Sequence, residues 1–569
     1  MIPKKLFNNL TIVSFLCRYA HTTNIYQQSK IFMTDLSLRH FVGRRRCLSR
    51  VKILSYSTFN YNHNHNHNHN HSHSRSHKYI NNNNNNLLED AKENNNLNRR
   101  HCKSKRNKDM EPYADAELED GSACTPAQDI PEPLSSEFIK EVTKDLNKLP
   151  LKFRYGISQK RYKDYRQWKS VSGTEPINTE TDFSFKILSY NILAQNLLES
   201  HYYLYKSHQK NALDWGIRKL LVQKEIIESE ASVICIQEMQ VDHLQEFLVP
   251  FIEQGFDYLY KKRTNDTRDG LLLLYRPSLF KLEDYVYVEY HQTFEDILNR
   301  DNVGVVVKFS LVESPETRVV ISTTHLLYNP KRNDVRLAQT QILFAELDRI
   351  AFIRNTANGP EYHPIIICGD FNFQPFTGVY KFITEGSFNY VGKGHKLDES
   401  GFRRLSNSLI PSSLLVTDNC QHFNVVTKRF RGHGDEKIML YRNEDRNHRV
   451  RDPGNFTNEV DPESYDYQKV QIVDGQYAHF SSGALQHAFK LNSVYQHADP
   501  RGEMEATTNQ GEWITVDYIF YTDVEVTSKY SLPTVRECET LPLIPNFVVG
   551  SDHLCLGATF KLKKKPIAR

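Results

Sequence analysis

Pro364-Ile365-Ile366-Ile367-Cys368-Gly369-Asp370-Phe371-Asn372 is an apolar run that stops abruptly on polar residues. Pro364 to Cys368 has the length and the branched side chains of a strand buried on both faces. A strand that ends in Gly-Asp-Phe-Asn delivers a carboxylate and an amide to the rim of its sheet. Period-two alternation puts Asp370 and Asn372 on one face of the extended chain. Asp370 is then a base for a water proton, with Asn372 on the water or a phosphate oxygen. Asp and Asn are also turn formers, so a plain turn is the competing reading of the same residues.

The pattern recurs. Val233 to Gln237 reads as a buried strand followed by Glu238, and Lys186 to Tyr190 as a strand followed by Asn191. Val319 to Thr323 leads to His325, and Ser551-Asp552-His553 leads into the apolar run Leu554 to Phe560. Asp517 is an awkward charge inside the run Thr515 to Tyr521, and a buried carboxylate needs a partner. His553 is the partner expected for it. Hydrolysis of a phosphodiester needs a cation on the non-bridging oxygens, an activated water and help for the leaving oxygen. Oxygen-rich ligands such as Glu238 favour Mg²⁺. Any one of these residues alone is read as structural; together they read as one site.

The other elements are predicted as follows. Ile217 to Glu228 is a helix, and Asp242 to Gln254 is a second one capped by Asp242. Leu271 to Tyr275, Tyr285 to Tyr290 and Val303 to Phe309 are strands. Asn333 to Ile353 is a long helix with Val335, Ala338, Ile342 and Ala345 on one face. The charged stretch from about 430 to 468 reads as a surface insertion. Strands outnumber and interleave with helices, so a two-layered β-sandwich flanked by helices fits better than a doubly wound parallel sheet.

Residues 1–132 read as a targeting-like, low-complexity tail, 133–182 as an N-terminal arm and 183–563 as the catalytic domain. Between Met1 and Tyr79 the sole acid, Asp35, faces 12 Lys and Arg, so the net charge of +4 combines a tail of +11 with a body of about −7. Such a body does not coat nucleic acid by bulk charge. An acid-poor start with Arg and Ser predicts a mitochondrial location, with cytoplasmic or nuclear ones as alternatives. The Asn-His alternation at 62–71 and the Asn run at 81–86 cannot bury apolar area. Phe138, Val142, Leu146 and Leu149 make one short helical stripe in the arm. The nine cysteines contain no Cys-x-x-Cys pair, which excludes a zinc framework of that kind, and Cys235 and Cys368 read as buried thiols. No run reaches the ~18–20 apolar residues needed to span a bilayer, so no membrane partner is expected.

In this order, the polar residues resemble the endonuclease/exonuclease/phosphatase superfamily. Lys186-Ile-Leu-Ser-Tyr-Asn-Ile-Leu-Ala-Gln195, Cys235-Ile-Gln-Glu-Met239, Arg300-Asp-Asn-Val303 and Val516-Asp-Tyr-Ile-Phe-Tyr521 resemble its deadenylase and nocturnin-like branch. Thr323-Thr-His-Leu-Leu-Tyr-Asn-Pro330 with Asp334-Val-Arg-Leu-Ala-Gln339 is similar to the Angel proteins. The resemblance implies a DNase I-like four-layer α/β sandwich, two packed, mainly antiparallel sheets flanked by helices. It implies one or two Mg²⁺ ions, with Mn²⁺ as a substitute, on Glu238, Asn191 and Asp552. Asp370 and Asn372 would handle the water; His325, Asp517 and His553 would stabilise the transition state. Phe373 departs from the small residue usual after Gly-Asp-Phe-Asn, and Phe373 and Phe376 are expected at the substrate.

The implied activity is removal of 2′,3′-cyclic phosphate from RNA 3′ ends. The alternatives are a 3′–5′ exoribonuclease acting on poly(A), and a catalytically weak mRNA-regulatory binding protein. Some Angel-like proteins bind the cap-binding translation factor through Tyr-x-x-x-x-Leu and an apolar residue. Here Tyr113 to Leu118 has the spacing but Glu119 follows, which argues against that partner.

Overall fold

The computed structural model describes residues 156–565 apart from 294, 402, 435–437, 441–458 and 461–467. The expectations for the tail, for the 138–149 stripe, for Tyr113–Glu119 and for most of the charged insertion lie outside the described residues. Thirteen strands build two sheets: β1 Trp168–Ser170, β2 Asp182–Asn191, β3 Val233–Gln240, β4 Asp257–Lys262, β5 Asp269–Tyr275, β6 Phe280–Glu289, β7 Val303–Leu311, β8 Ser314–His325, β9 Ile365–Asp370, β10 Asn492–Ser493, β11 Asp517–Tyr521, β12 Glu525–Tyr530 and β13 Leu556–Lys563. The first sheet has seven strands in the order β1-β12-β13-β2-β3-β5-β4, and the second has six in the order β10-β11-β9-β8-β7-β6.

Each sheet is antiparallel except for one parallel pair, β2 with β3 and β8 with β9. Parallel neighbours end at the same rim. Asn191 therefore pairs in register with Gln237, and Asp370 with His325. Antiparallel neighbours reach that rim with their first residues, so Asp517 stands opposite Asp370 and Asp269 opposite Gln240.

The alternation of each strand assigns its side chains to two cores. Ile366 and Cys368 join Val305, Ile321, Ile187 and Cys235 between the sheets. Ile365 and Ile367 face the other way, against Leu337, Leu343 and Phe382. The helices α1 Trp215–Glu228 and α2 Leu244–Glu253 cover the first sheet through Val222, Ile226, Phe247 and Phe251. The helices α3 Asn333–Ala351 and α4 Gly378–Glu385 cover the second. The result is the four-layer α/β sandwich. Cys235 and Cys368 are buried free thiols, and no described helix is long and apolar enough to cross a membrane.

Three local expectations change. Asp242 does not cap α2: a 3₁₀ turn, Val241–His243, intervenes, and the Asp242 carboxylate accepts from Gln240 and Arg268 instead. The helix α3 is not amphipathic but buried nearly all round. Its outer polar side meets Thr417, His422 and Arg429, with Arg429 Nη1 2.6 Å from Asp348 and His422 Nε2 3.2 Å from Glu346. A helix with partners on every side needs no solvent face. Ordered structure also begins before Phe183, because Trp168–Ser170 pairs with β12 at the sheet edge. On either side of the insertion, the helix Phe423–Arg431 and the hairpin of Gln468–Val473 with Gln476–Phe480 share a small core of their own.

Candidate active site

Two of the polar strings hold a residue in the left-handed region, Glu238 at φ 62° and Asn372 at φ 56°. Such conformations cost about 1–3 kcal/mol each and persist where the surroundings impose them. At Glu238 the cause is a bulge in β3 between Ile236 and Met239, which turns the carboxylate out of the ladder. At Asn372 the chain has already left β9. Asp370 and Asn372 therefore do not share an extended face: the Asn372 N–H donates to Asp370 Oδ1 at 2.9 Å, closing a turn. The turn-former chemistry is present, and it is what aims Asp370. Gly369 is required here because a Cβ would lie 2.1 Å from the Thr324 carbonyl oxygen on β8.

Asn191 links the two sheets. Its Nδ2 donates to Glu238 Oε1 at 2.9 Å and to Asp370 Oδ2 at 3.0 Å, while its Oδ1 accepts from the Leu193 N–H at 3.0 Å. Through these bonds Asn191 holds one carboxylate from each sheet in place. The second carboxylate oxygen of Glu238 accepts from the Ala194 N–H at 2.9 Å.

Asp370 Oδ2 also lies 3.5 Å from His325 Nε2 and 3.8 Å from His553 Nε2. His553 Nδ1 lies 2.9 Å from Asp517 Oδ2. Asp517 is in turn placed by the register with Asp370 and by its N–H, which donates to Thr507 Oγ1 at 3.2 Å. Burial, and then the charge of Asp517, push the Asp370 carboxyl up to about 8. Burial works against a charge on His553, but Asp517, Asp370 and Asp552 outweigh it and raise the imidazolium well above its usual range. Burial and then the nearby Arg263 push His325 down to about 3, so its ring is neutral.

Ligand atoms of Glu238, His325 and Asp370 lie within 4.8 Å of one another, as do those of Asp370, Asp517 and His553. The first group, with two carboxylates of which only Glu238 is half-buried, fits a hard divalent cation. Asp552 lies outside both groups; its Oδ2 accepts from the Tyr205 hydroxyl at 2.8 Å. Phe373 lines the cleft beside Asn372 only at its edge. Its ring is 3 % exposed and stacks on Tyr518 with centroids 5.1 Å apart, so its bulk fills the core behind the loop. Phe376 is 61 % exposed. A cleft of about 250 Å³ opens beside Asn372, walled by Tyr328, Pro330, Phe376, Gln510 and Ile514.

Sequence reasoning passed over Arg263 and Asp269, a pair at 2.5 Å whose charges act on His325. The signal was there: Asp269 opens an apolar run as Asp517 does. Tyr205 and Arg336 carry no such local signal. Arg336 is buried under the 326–329 loop, where it donates to three backbone carbonyls and to Asn333 Oδ1.

Residues 188–553 match the model of the endonuclease/exonuclease/phosphatase family. The chain is 33 % identical over 418 residues to protein angel homolog 2 of Bos taurus, covering 68 % of this chain and 71 % of that protein. It is 31 % identical over 461 residues to protein angel homolog 1 of Homo sapiens, covering 70 % and 67 %. A crystal structure of ANGEL2, a 2′,3′-cyclic phosphatase, in complex with adenosine-2′,3′-vanadate superposes with a TM-score of 0.54 at 31 % identity, covering 70 % of this chain and 98 % of that one.

Proposed function

Since this chain belongs to the endonuclease/exonuclease/phosphatase family, in its Angel branch, and is a hydrolase of that kind, we propose that it removes 2′,3′-cyclic phosphate from RNA 3′ ends with the help of Mg²⁺. The observation that carries the reading is Asp370 Oδ2, shared between the Asn191–Glu238 side and the two imidazoles. One carboxylate thus faces both a candidate cation site and a candidate acid. The similarity to a 2′,3′-cyclic phosphatase supports the choice of bond.

Glu238, whose carboxylate lies half-buried at the bulge, would hold the cation. When bound there, a divalent cation neutralises the phosphoryl oxygens and lowers the pKa of a coordinated water. The residues do the rest. Asp370, buried and with a raised pKa, takes a proton from the water as its oxygen bonds to phosphorus. The bond from phosphorus to one ribose oxygen breaks, and His553, kept protonated by Asp517, gives that oxygen its proton. His325, neutral, donates a hydrogen bond to a phosphoryl oxygen without adding charge. Release of the remaining monoester repeats the same displacement with a second water.

The test uses two RNAs with Mg²⁺, one ending in 2′,3′-cyclic phosphate and one in an oligo(A) tail. The proposal expects the first to lose its terminal phosphate at constant length. A ladder of shortened products would replace it with the exonuclease reading, and no change in either RNA would favour the binding-protein reading.

A further inference from the structure

Arg218, on α1, is 0 % exposed. Burial pushes its guanidinium down to about 10, so it still carries its charge at neutral pH. A buried charge persists only where its N–H groups are satisfied. Arg218 Nη1 donates to the Ile192 and Gly550 carbonyls at 2.9 and 3.0 Å. Its Nη2 donates to the Leu193 carbonyl and to Gln195 Oε1, both at 2.9 Å. These four acceptors are neutral dipoles, so none of them cancels the charge. Asp552 and Glu238, both at the candidate site, are among the charges that act on it.

The acceptors belong to two segments. Residues 192–195 form the turn after β2, which presents two N–H groups to the site: Leu193 donates to Asn191 Oδ1 and Ala194 to Glu238 Oε2. Leu193 has φ 57°, a conformation that a bulky residue keeps only where its surroundings impose it. Gly550, 332 residues from Arg218 in the chain, precedes Ser551-Asp552-His553. Ser551 Oγ donates to the Asn191 carbonyl at 2.6 Å and accepts from the His553 N–H at 3.2 Å. Glycine permits this approach, because a Cβ at Gly550 would lie 2.5 Å from the Arg218 carbonyl oxygen. Arg336 on α3 is the contrast: its acceptors, Leu327, Tyr328, Asn329 and Asn333, come from one stretch of chain, so it braces one loop.

We infer that Arg218 is a positioning residue for the hydrolysis, holding in one frame the turn that fixes Glu238 and the segment that carries His553. Being fully buried, it acts only through them. This rests on the RNA 3′-end phosphoesterase reading above. Lysine, a point charge on a flexible stem, does not reproduce a planar fork that reaches four oxygens in two segments.

The test compares Arg218→Lys and Gly550→Ala, which break the same link from its two ends, with the wild type. Amide hydrogen exchange of residues 190–196, in protein without metal, reports the turn itself. Mg²⁺ affinity is read by calorimetric titration without RNA, and kcat and KM are read on RNA ending in 2′,3′-cyclic phosphate. Both variants should exchange faster in that segment and bind Mg²⁺ about 10–100-fold more weakly. At saturating Mg²⁺ both should lose kcat by about 10–100-fold, with KM for the RNA unchanged. Wild-type Mg²⁺ affinity and kcat in both variants would overturn the inference. Faster exchange throughout the domain, with losses in proportion to the unfolded fraction, would also overturn it and leave Arg218 a core residue alone. Local exchange and weakened Mg²⁺ binding in a protein that leaves cyclic phosphate intact would keep the frame and discard the catalytic reading.

Discussion

The two sheets bring unlike chemistry to the same rim. The first sheet ends its parallel pair in Asn191 and Glu238, a carboxylate half open to solvent at a bulge. The second ends its pair in His325 and Asp370, both buried, with Asp517 alongside from the antiparallel neighbour. One rim suits a hydrated cation; the other suits proton transfer away from water. Asn191 and His553 cross between them, since His553 comes from the loop before β13 of the first sheet and pairs with Asp517 of the second. The comparison teaches that neither sheet carries a site alone, and each prediction below removes a group from one side or from the bridge.

The largest effect falls on the buried side. Asp370→Asn should lower kcat by about 10²–10⁴, the range of a lost general base. Next, Asp517→Asn should lower kcat by about 10²-fold. Without Asp517, burial pulls His553 down, so the limb at which activity falls with rising pH should move to lower pH. A bell that does not shift would remove His553 from the role of acid. Third, Asn191→Ala should weaken Mg²⁺ binding by about 10–100-fold in calorimetric titration, because it frees Glu238, the carboxylate proposed to hold the cation. An unchanged affinity would detach the bridge from the open side.

The smallest effect concerns stability. His363, His487 and His497 pack around the second sheet, and burial pushes each down to about 4. The fold favours the neutral rings, whereas the unfolded chain takes up protons near the ordinary value of about 6.5. Their contribution is present above about 6.5 and is lost as pH falls toward 4. The urea midpoint should therefore drop across that window. His487→Phe, in a pocket of Phe344, Phe382 and Phe489, should flatten the drop.

The layered fold was legible because its strands are apolar on both faces and each ends in a sharp polar stop. Ile365 to Asp370 shows it best: alternate side chains enter the two cores. The eight polar residues at strand ends were legible for the same reason, as a buried strand has few other places to put Asn, His or Asp. What stayed hidden depends on contacts distant in the chain. That Asn191 joins Glu238 to Asp370 depends on a contact across 179 residues. Phe373 lines the cleft, but how little of its ring faces it is decided by Tyr518, on which the ring stacks 145 residues away. Tyr205 is hydrogen-bonded to the site through Asp552, a contact across 347 residues. Phe376, exposed at the mouth, is the aromatic whose expected place at the substrate is compatible with its position.

The central claim, that two rims act on one phosphorus, is tested most directly by a double-variant rate measurement. Hydrolysis of an RNA 2′,3′-cyclic phosphate is followed for Glu238→Gln, His553→Asn and the double variant at one Mg²⁺ concentration. Groups acting as a unit give strongly non-additive losses, so the double variant should be about as slow as the slower single one. Losses that multiply would show two independent groups and would contradict a single site shared between the sheets.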